Sequence, residues 1–213
     1  TIAMLFVTRF RLLPVFDFSG LGQFFKFGAN VTASQTIWYF GGQVDIALIG
    51  KFLGSELLSL YSVANHLATL PLAKIMTIVN QVAFTAYARI QEDLEQYRNY
   101  FLRSVQIMSL IIFPMLWGLS SVSTEFVAVV LGEHWSDAAI VLSLVTLAIP
   151  LKAIDMMLSP MVDGVGRPDV SLRNVITFSA ILSIAMLVGI QWGITGVSIA
   201  FGVSYLPTTF LNC

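Results

Sequence analysis

The sequence predicts an all-α polytopic membrane protein, a bundle of about six transmembrane helices. Hydrophobic residues make up 57 % of the 213 positions and charged residues 11 %, where a soluble domain carries roughly 25 % charged residues. The mean hydropathy is +0.84. Apolar runs of spanning length follow one another, and most of the charge lies in the connectors between them. Segments of this length are too long for barrel strands, and the period-2 alternation of an outer-membrane barrel is absent. Helices satisfy their own backbone groups in lipid and need no partner to do so. The formal net charge of −1 leaves no basic excess for a nucleic-acid partner.

The elements follow in order. Residues 1–8 (TIAMLFVT) are apolar but too short to span, and fit the last turns of a preceding transmembrane helix. Residues 9–27, with Arg9, Arg11 and Lys26, fit a cytoplasmic linker. A spanning helix needs about 20 mainly apolar residues. Six candidates follow, at about 28–50, 57–87, 104–131, 139–162, 172–190 and 194–211, and make up a bundle over 28–213. The chain has the character of a fragment that begins in one helix and stops as another ends.

The connectors fix an orientation. Residues 9–27, 88–103 and 163–173 together hold eight Lys and Arg, whereas the connectors on the other side hold only Lys51. That asymmetry places the cation-rich side in the cytoplasm, so the first full span runs outward. Segment 88–103 (ARIQEDLEQYRNYFLR) is the longest polar stretch. Its order of acids before bases suits a helix, and it is expected to form a solvated interfacial turn into the next span.

Polar residues inside the spans carry the functional argument. In the first span Asn30, Ser34, Gly41 and Asp45 fall near one face at helical spacing. A polar stripe in a spanning helix faces another helix or water, not lipid. Asp45 fits a structural hydrogen bond or ion pair between helices, a coupling-ion or proton site, or a shallow position near the outer interface. In the second span His66, Thr69, Ala73, Thr77 and Asn80 share a face, and Pro71 favours a kink. Lys74 follows one turn later, either as an anion-attracting group or as a snorkelling or Asp45-paired lysine. His66 fits an interhelical hydrogen bond or a ligand contact. In the fourth span Lys152 and Asp155 stand three apart, a spacing that permits a local ion pair.

Other signals are weak. Glu133, His134 and Asp137 on an outer connector are metal-capable types, but His-x-x-Asp alone is better explained by interfacial solvation. Trp135 and Trp192 fit an aromatic belt, while Trp38 and Trp117 lie deeper as packing residues. There is no Gly-rich phosphate loop, nucleophile elbow or His/Cys metal spacing, so no enzyme and no bound cofactor is expected. The single Cys213 excludes a disulfide framework within these residues.

Several stretches resemble the multidrug/oligosaccharidyl-lipid/polysaccharide (MOP) exporter superfamily, in its polysaccharide-transporter, Wzx-like lipopolysaccharide exporter branch. They are FGANVTAS (27–34), VDIALIGKFLGSELLSLYSVA (44–64), LPLAKI (70–75), ARIQEDLEQYRNYFLRSV (88–105), LGEHWSDAAIVL (131–142) and GRPDVSLRN (166–174). The resemblance implies twelve or more helices in two bundles, of which this chain supplies the second, with the N-terminal bundle as its partner. It also implies a flippase of the bacterial inner membrane for undecaprenyl-diphosphate-linked oligosaccharide, working by alternating access and coupled to H+ or Na+. Asn30, Ser34, Asp45, His66, Thr69, Lys74, Thr77, Asn80, Lys152 and Asp155 are the expected substrate or ion cavity residues. The competing expectations are a multidrug or cation antiporter of the same superfamily, and a membrane enzyme that polymerises or ligates lipid-linked glycan.

Overall fold

The structure is a computed structural model that describes the backbone of residues 21–90, 94–164 and 167–211. The side chains of residues 21, 23–24, 78, 80–90, 94, 159–160, 164 and 207–211 stand outside the described ones. The expected helix tail at 1–8, most of the linker at 9–27 and the Asn80 side chain therefore lie outside the described residues.

The described residues form an all-α bundle: α1 (Leu21–Gly41), α2 (Val44–Phe52), α3 (Ser55–Ile90), α4 (Leu94–Ser121), α5 (Ser123–Val130), α6 (Ala138–Gly164), α7 (Pro168–Gly189) and α8 (Gly193–Leu211). Single 3-10 turns, Glu133–Trp135 and Ile190–Trp192, lead into α6 and α8. Three helical stretches are long and apolar enough to cross a membrane by length and composition: Glu95–Ser121, Ala138–Asp163 and Pro168–Leu206. The last runs through the Ile190–Trp192 turn and so joins two helices, α7 and α8. The helices over the first two expected spans miss that threshold among the described residues, and both carry the polar side chains noted above. The protein is membrane-embedded and multi-pass.

The helices depart from the expected bounds in three places. Residues 21–27, assigned to the linker, are already helical; Phe24, Phe25 and Phe27 give this stretch an apolar character that favours helix at a membrane. The first span is not one helix but two, broken between Gly41 and Val44. Gly41 and Gly42 are adjacent, and glycine costs about 1 kcal/mol against alanine in a helix. The backbone tightens there: the Gly42 N–H still donates to the Trp38 carbonyl at 2.9 Å, while that of Gln43 donates to Phe40 at 3.1 Å. The third span breaks similarly at Val122, between α4 and α5.

Local sequence sets the other ends. The chain leaves α2 through Gly54 at φ +90°, a left-handed conformation that favours glycine. The N–H groups of Leu53 and Gly54 both donate to the Ile49 carbonyl, at 2.8 and 3.2 Å, which closes the helix end. Pro168 opens α7 and Asp169 stands in its first turn, where a carboxylate meets the positive end of the helix dipole.

The hub is α6. It packs against α3, α4 and α8, while α8 also packs against α7, and α1 lies on α7. The buried face of α6 includes Val141, Leu142, Val145, Ile149, Ala153 and Met157. It meets Tyr61, Ala64, Ala68, Leu72 and Met76 of α3 within one apolar cluster. Most hydroxyls on the helices are satisfied internally. Ser34, Thr69, Thr77 and Thr146 each donate to the carbonyl four residues earlier, at 2.7–2.8 Å, which lets them sit in a bilayer without an external acceptor.

Candidate functional site

The break in the first span creates a buried corner. Asp45 stands in the first turn of α2 and is 3 % exposed. Its Oδ1 accepts the backbone N–H of Ile46 at 2.8 Å, one of the amides that a helix start leaves without an intrahelical partner. Its Oδ2 accepts the Tyr61 hydroxyl at 2.8 Å. Tyr61 belongs to α3 and is wholly buried, so this bond ties α2 to α3 across the interior. A carboxylate taken out of water needs such donors.

Around this pair stand charged and aromatic groups from the other helices. Lys152 of α6 interacts electrostatically with Asp45, and its ammonium lies 5.5 Å from the centre of the Phe201 ring on α8, in cation–π range. Asp155, one turn further along α6, interacts electrostatically with Tyr205 of α8. Tyr205 is buried and packs against Phe178 of α7 and Phe201, with ring centres 4.9 and 5.3 Å apart. The corner thus draws on α2, α3, α6, α7 and α8.

The structure separates residues that the sequence grouped. The face of α1 bearing Ser34, Gly41 and, beyond the break, Asp45 is buried, with Asn30 half-buried beside it. At Gly41 an added Cβ would lie 2.5 Å from the Ser179 Oγ of α7, so this face is a tight protein seam. On α3, His66, Lys74 and Thr77 are exposed and Thr69 is half-buried. Lys74 makes no ion pair among the described residues; its expected pairing with Asp45 is replaced by Tyr61, which reaches the carboxylate from within the same helical bundle. Lys152 and Asp155 do not form the expected local ion pair among the described residues. Lys152 turns toward Phe201 and Asp45 instead, where an aromatic face and a carboxylate of another helix both attract it. No group of three His, Cys, Asp or Glu converges as a metal site among the described residues, Glu133, His134 and Asp137 included.

Among the described residues, two of the exposed helix faces carry polar side chains. On α1, opposite the α7 seam, one groove of about 860 Å³, mostly apolar, runs along Phe25, Gly28, Ala29, Thr32, Ala33, Thr36 and Ile37. A second, of about 420 Å³, includes Thr32, Gln35, Thr36 and Tyr39. On α3 the face is that of His66, Lys74 and Thr77. Thr36 and Thr77 satisfy their hydroxyls on carbonyls of their own helices at 2.8 Å, so the Gln35 amide and the Lys74 ammonium are the groups that call for water or protein rather than hydrocarbon. Both faces therefore border either a wet space or another part of a larger assembly. Sequence reasoning missed Tyr61 as the partner of Asp45. The Gly41–Gly42 pair was the signal that would have revealed the break beside Asp45.

Comparison with known proteins now gives the family. Residues 1–140 match the model of the family described as "Polysaccharide biosynthesis protein". The chain belongs to that family. Among its curated relatives, the teichuronic acid biosynthesis protein TuaB of Bacillus subtilis is 36 % identical over 140 residues, 66 % of this chain and 29 % of the relative. The lipopolysaccharide biosynthesis protein WzxC of Escherichia coli is 28 % identical over 198 residues, 92 % of this chain and 40 % of the relative. A probable low-salt glycan biosynthesis flippase of Haloferax volcanii, Agl15, is 21 % identical over 202 residues, 92 % of this chain and 42 % of the relative. The chain thus spans less than half the length of these polysaccharide biosynthesis relatives. No solved structure matches it. The matches agree with the resemblance of the sequence to the polysaccharide-transporter branch of the MOP superfamily.

Proposed function

We propose that the chain is the second helical bundle of a polysaccharide exporter, which flips undecaprenyl-diphosphate-linked oligosaccharide across the bacterial inner membrane. The observation that carries this reading is the exposure of Gln35 on α1 and of His66 and Lys74 on α3, in a chain whose relatives are named for polysaccharide biosynthesis and, in one case, as a flippase. A first bundle supplied by the rest of the protein closes over these faces and leaves a hydrated passage between the two halves.

The physical task is to carry a glycan and a diphosphate across about 30 Å of hydrocarbon while the polyprenyl chain stays in lipid. Water in the passage lowers the cost of the charge and of the sugar hydroxyls. Lys74 attracts the diphosphate or acidic sugars, while His66, Thr77, Thr32 and Gln35 exchange hydrogen bonds with hydroxyls. Rocking of one bundle against the other exposes the passage to each side in turn. The Asp45–Tyr61 bond holds α2 and α3 as one body during that motion, and Lys152 with Asp155 forms the place where a coupling H+ or Na+ acts. The glycan crosses without bond making or breaking, so the protein is a transporter and not an enzyme. The connectors at 9–27, 88–103 and 163–173 face the cytoplasm.

The test is the full-length protein in vesicles loaded with a fluorescent polyprenyl-diphosphate oligosaccharide. Transfer to the opposite leaflet, read as protection from an impermeant quencher, is the expected result. No transfer by the intact protein, or drug efflux in its place, overturns the proposal.

A further inference from the structure

A third groove, of about 590 Å³, lies at the charged end of α4 and includes Glu95, Gln96, Asn99, Tyr100 and Arg103. We propose that it captures the headgroup of a phosphate-linked saccharide lipid at the membrane surface, before the lipid enters the passage. The inference rests on the flippase reading and adds to it a lipid-facing capture site.

The register of α4 orders the chemistry along the membrane normal. Glu95, Asn99, Arg103, Ile107 and Leu110 follow at steps of four, four, four and three residues, a ridge that winds gradually round the helix and keeps Arg103, Ile107 and Leu110 on one face. Glu95 and Arg103 are about 12 Å apart along the axis by helical rise. Arg103 is nearest the apolar part of the helix, and beyond it Ile107 and Leu110 are 54 % and 77 % exposed. A lipid aligned with this face lays its chain on Ile107 and Leu110, and its phosphate reaches Arg103, whose guanidinium fits phosphate oxygens in pairs. The headgroup then extends away from hydrocarbon past Tyr100, which is 51 % exposed and offers an aromatic surface. Asn99 and Glu95 follow, the amide offering donors and an acceptor and the carboxylate acceptors to hydroxyls.

The groove is also held in place. Tyr97, on the other side of the same turns, is buried and its hydroxyl donates to the Met161 carbonyl of α6 at 2.6 Å. Neither Glu95 nor Arg103 makes an ion pair among the described residues, so neither charge is neutralised by a neighbour there. A phospholipid with a polyol headgroup shares part of this chemistry, and the experiment separates the two sources.

A benzophenone side chain is introduced at Ile107 of the full-length protein in lipid nanodiscs, and photolabelling is measured with three probes. These are a polyprenyl-diphosphate trisaccharide, polyprenyl monophosphate and phosphatidylglycerol. The expected result is at least tenfold stronger labelling by the saccharide lipid than by phosphatidylglycerol. Arg103→Gln lowers labelling by both polyprenyl lipids tenfold or more. Tyr100→Ala lowers labelling by the saccharide lipid and leaves that by the monophosphate unchanged. Equal labelling by all three probes, or labelling that Arg103→Gln leaves unaltered, overturns the capture site. Flipping by the same samples separates the two readings: normal flipping with labelling indifferent to Arg103→Gln removes the groove alone, while probe-selective labelling without flipping keeps the groove and removes the flippase.

Discussion

The Tyr61 hydroxyl and the Asp45 carboxylate meet at 2.8 Å across the junction of α2 and α3, and this one bond joins the broken first span to the second. It stands where α1 and α3 diverge, α1 onto α7 and α3 onto α6. Asp45 is 3 % exposed, so its role is to hold the corner rather than to touch a glycan. The surfaces free to meet substrate lie along the helices that leave this corner.

Removal of the phenol hydroxyl tests the corner. Tyr61→Phe takes away one of the two donors to Asp45 and is expected to lower stability by about 1–3 kcal/mol, the usual cost of orphaning a buried polar group. Thermal unfolding of the intact protein in detergent reads it. In an Asp45→Leu background the same change costs less, because the carboxylate is gone. Equal losses in both backgrounds contradict the bond's importance.

The two membrane lysines are expected to behave differently. Lys74 is exposed, so Lys74→Gln leaves the unfolding temperature unchanged and slows flipping tenfold or more. Lys152 sits against Phe201 and senses Asp45, so Lys152→Gln lowers the unfolding temperature as well. Measuring both properties for both variants checks the distinction, and identical profiles contradict it.

The hairpin of α7 and α8 depends on backbone contact between two glycines. A Cβ at Gly189 would lie 2.6 Å from the Gly196 carbonyl oxygen and 2.7 Å from the Ala200 Cβ. Neither backbone has room to yield, and close approach of this kind is how membrane helices associate. Gly189→Leu is expected to cost about 1–3 kcal/mol or more from overpacking, seen as a lowered unfolding temperature and reduced yield of folded protein. Leu at Gly118, where no atom lies within 4 Å of an added Cβ, is the matched control and costs little.

The anchoring of α4 makes a further prediction. Tyr97→Phe removes the bond to the Met161 carbonyl and costs about 1 kcal/mol. Hydrogen exchange of the amides in the first turns of α4 is expected to quicken, with the middle of the helix unaffected. Uniform quickening along α4 contradicts a local anchor.

Much of this architecture was legible in the sequence. Hydropathy gave the helical class, and the pairing of long apolar runs with charged connectors anticipated helices near most of the observed positions. Periodicity located a polar face on α1 but not what it touched. Ser34, Gly41 and Asp45 proved to be buried in protein, because small side chains such as Gly41 and Ser179 permit close helix contact, and a one-dimensional pattern does not separate a tight seam from a wet wall. The break at Gly41–Gly42 was equally visible as a glycine pair, yet the hydropathy of the surrounding run hid it. Nothing in the periodicity of α3 singles out Tyr61, although its hydroxyl is the group that a buried carboxylate elsewhere in the bundle requires. Lys152 and Asp155 were close enough in sequence to suggest each other as partners, but tertiary packing offered Lys152 an aromatic ring and a distant carboxylate.

The central claim is that the polar faces of α1 and α3 border water. Cysteine accessibility in the full-length protein tests it most directly, in a background whose cysteines, Cys213 among them, are replaced by serine. Thr32→Cys and Thr77→Cys are expected to react with a membrane-impermeant thiol reagent, and lipid-linked oligosaccharide is expected to protect them. Leu110→Cys and Ile184→Cys, at exposed apolar positions, remain unlabelled in the same membranes. If Thr32→Cys and Thr77→Cys are as inert as those two controls, the faces are dry and the account fails.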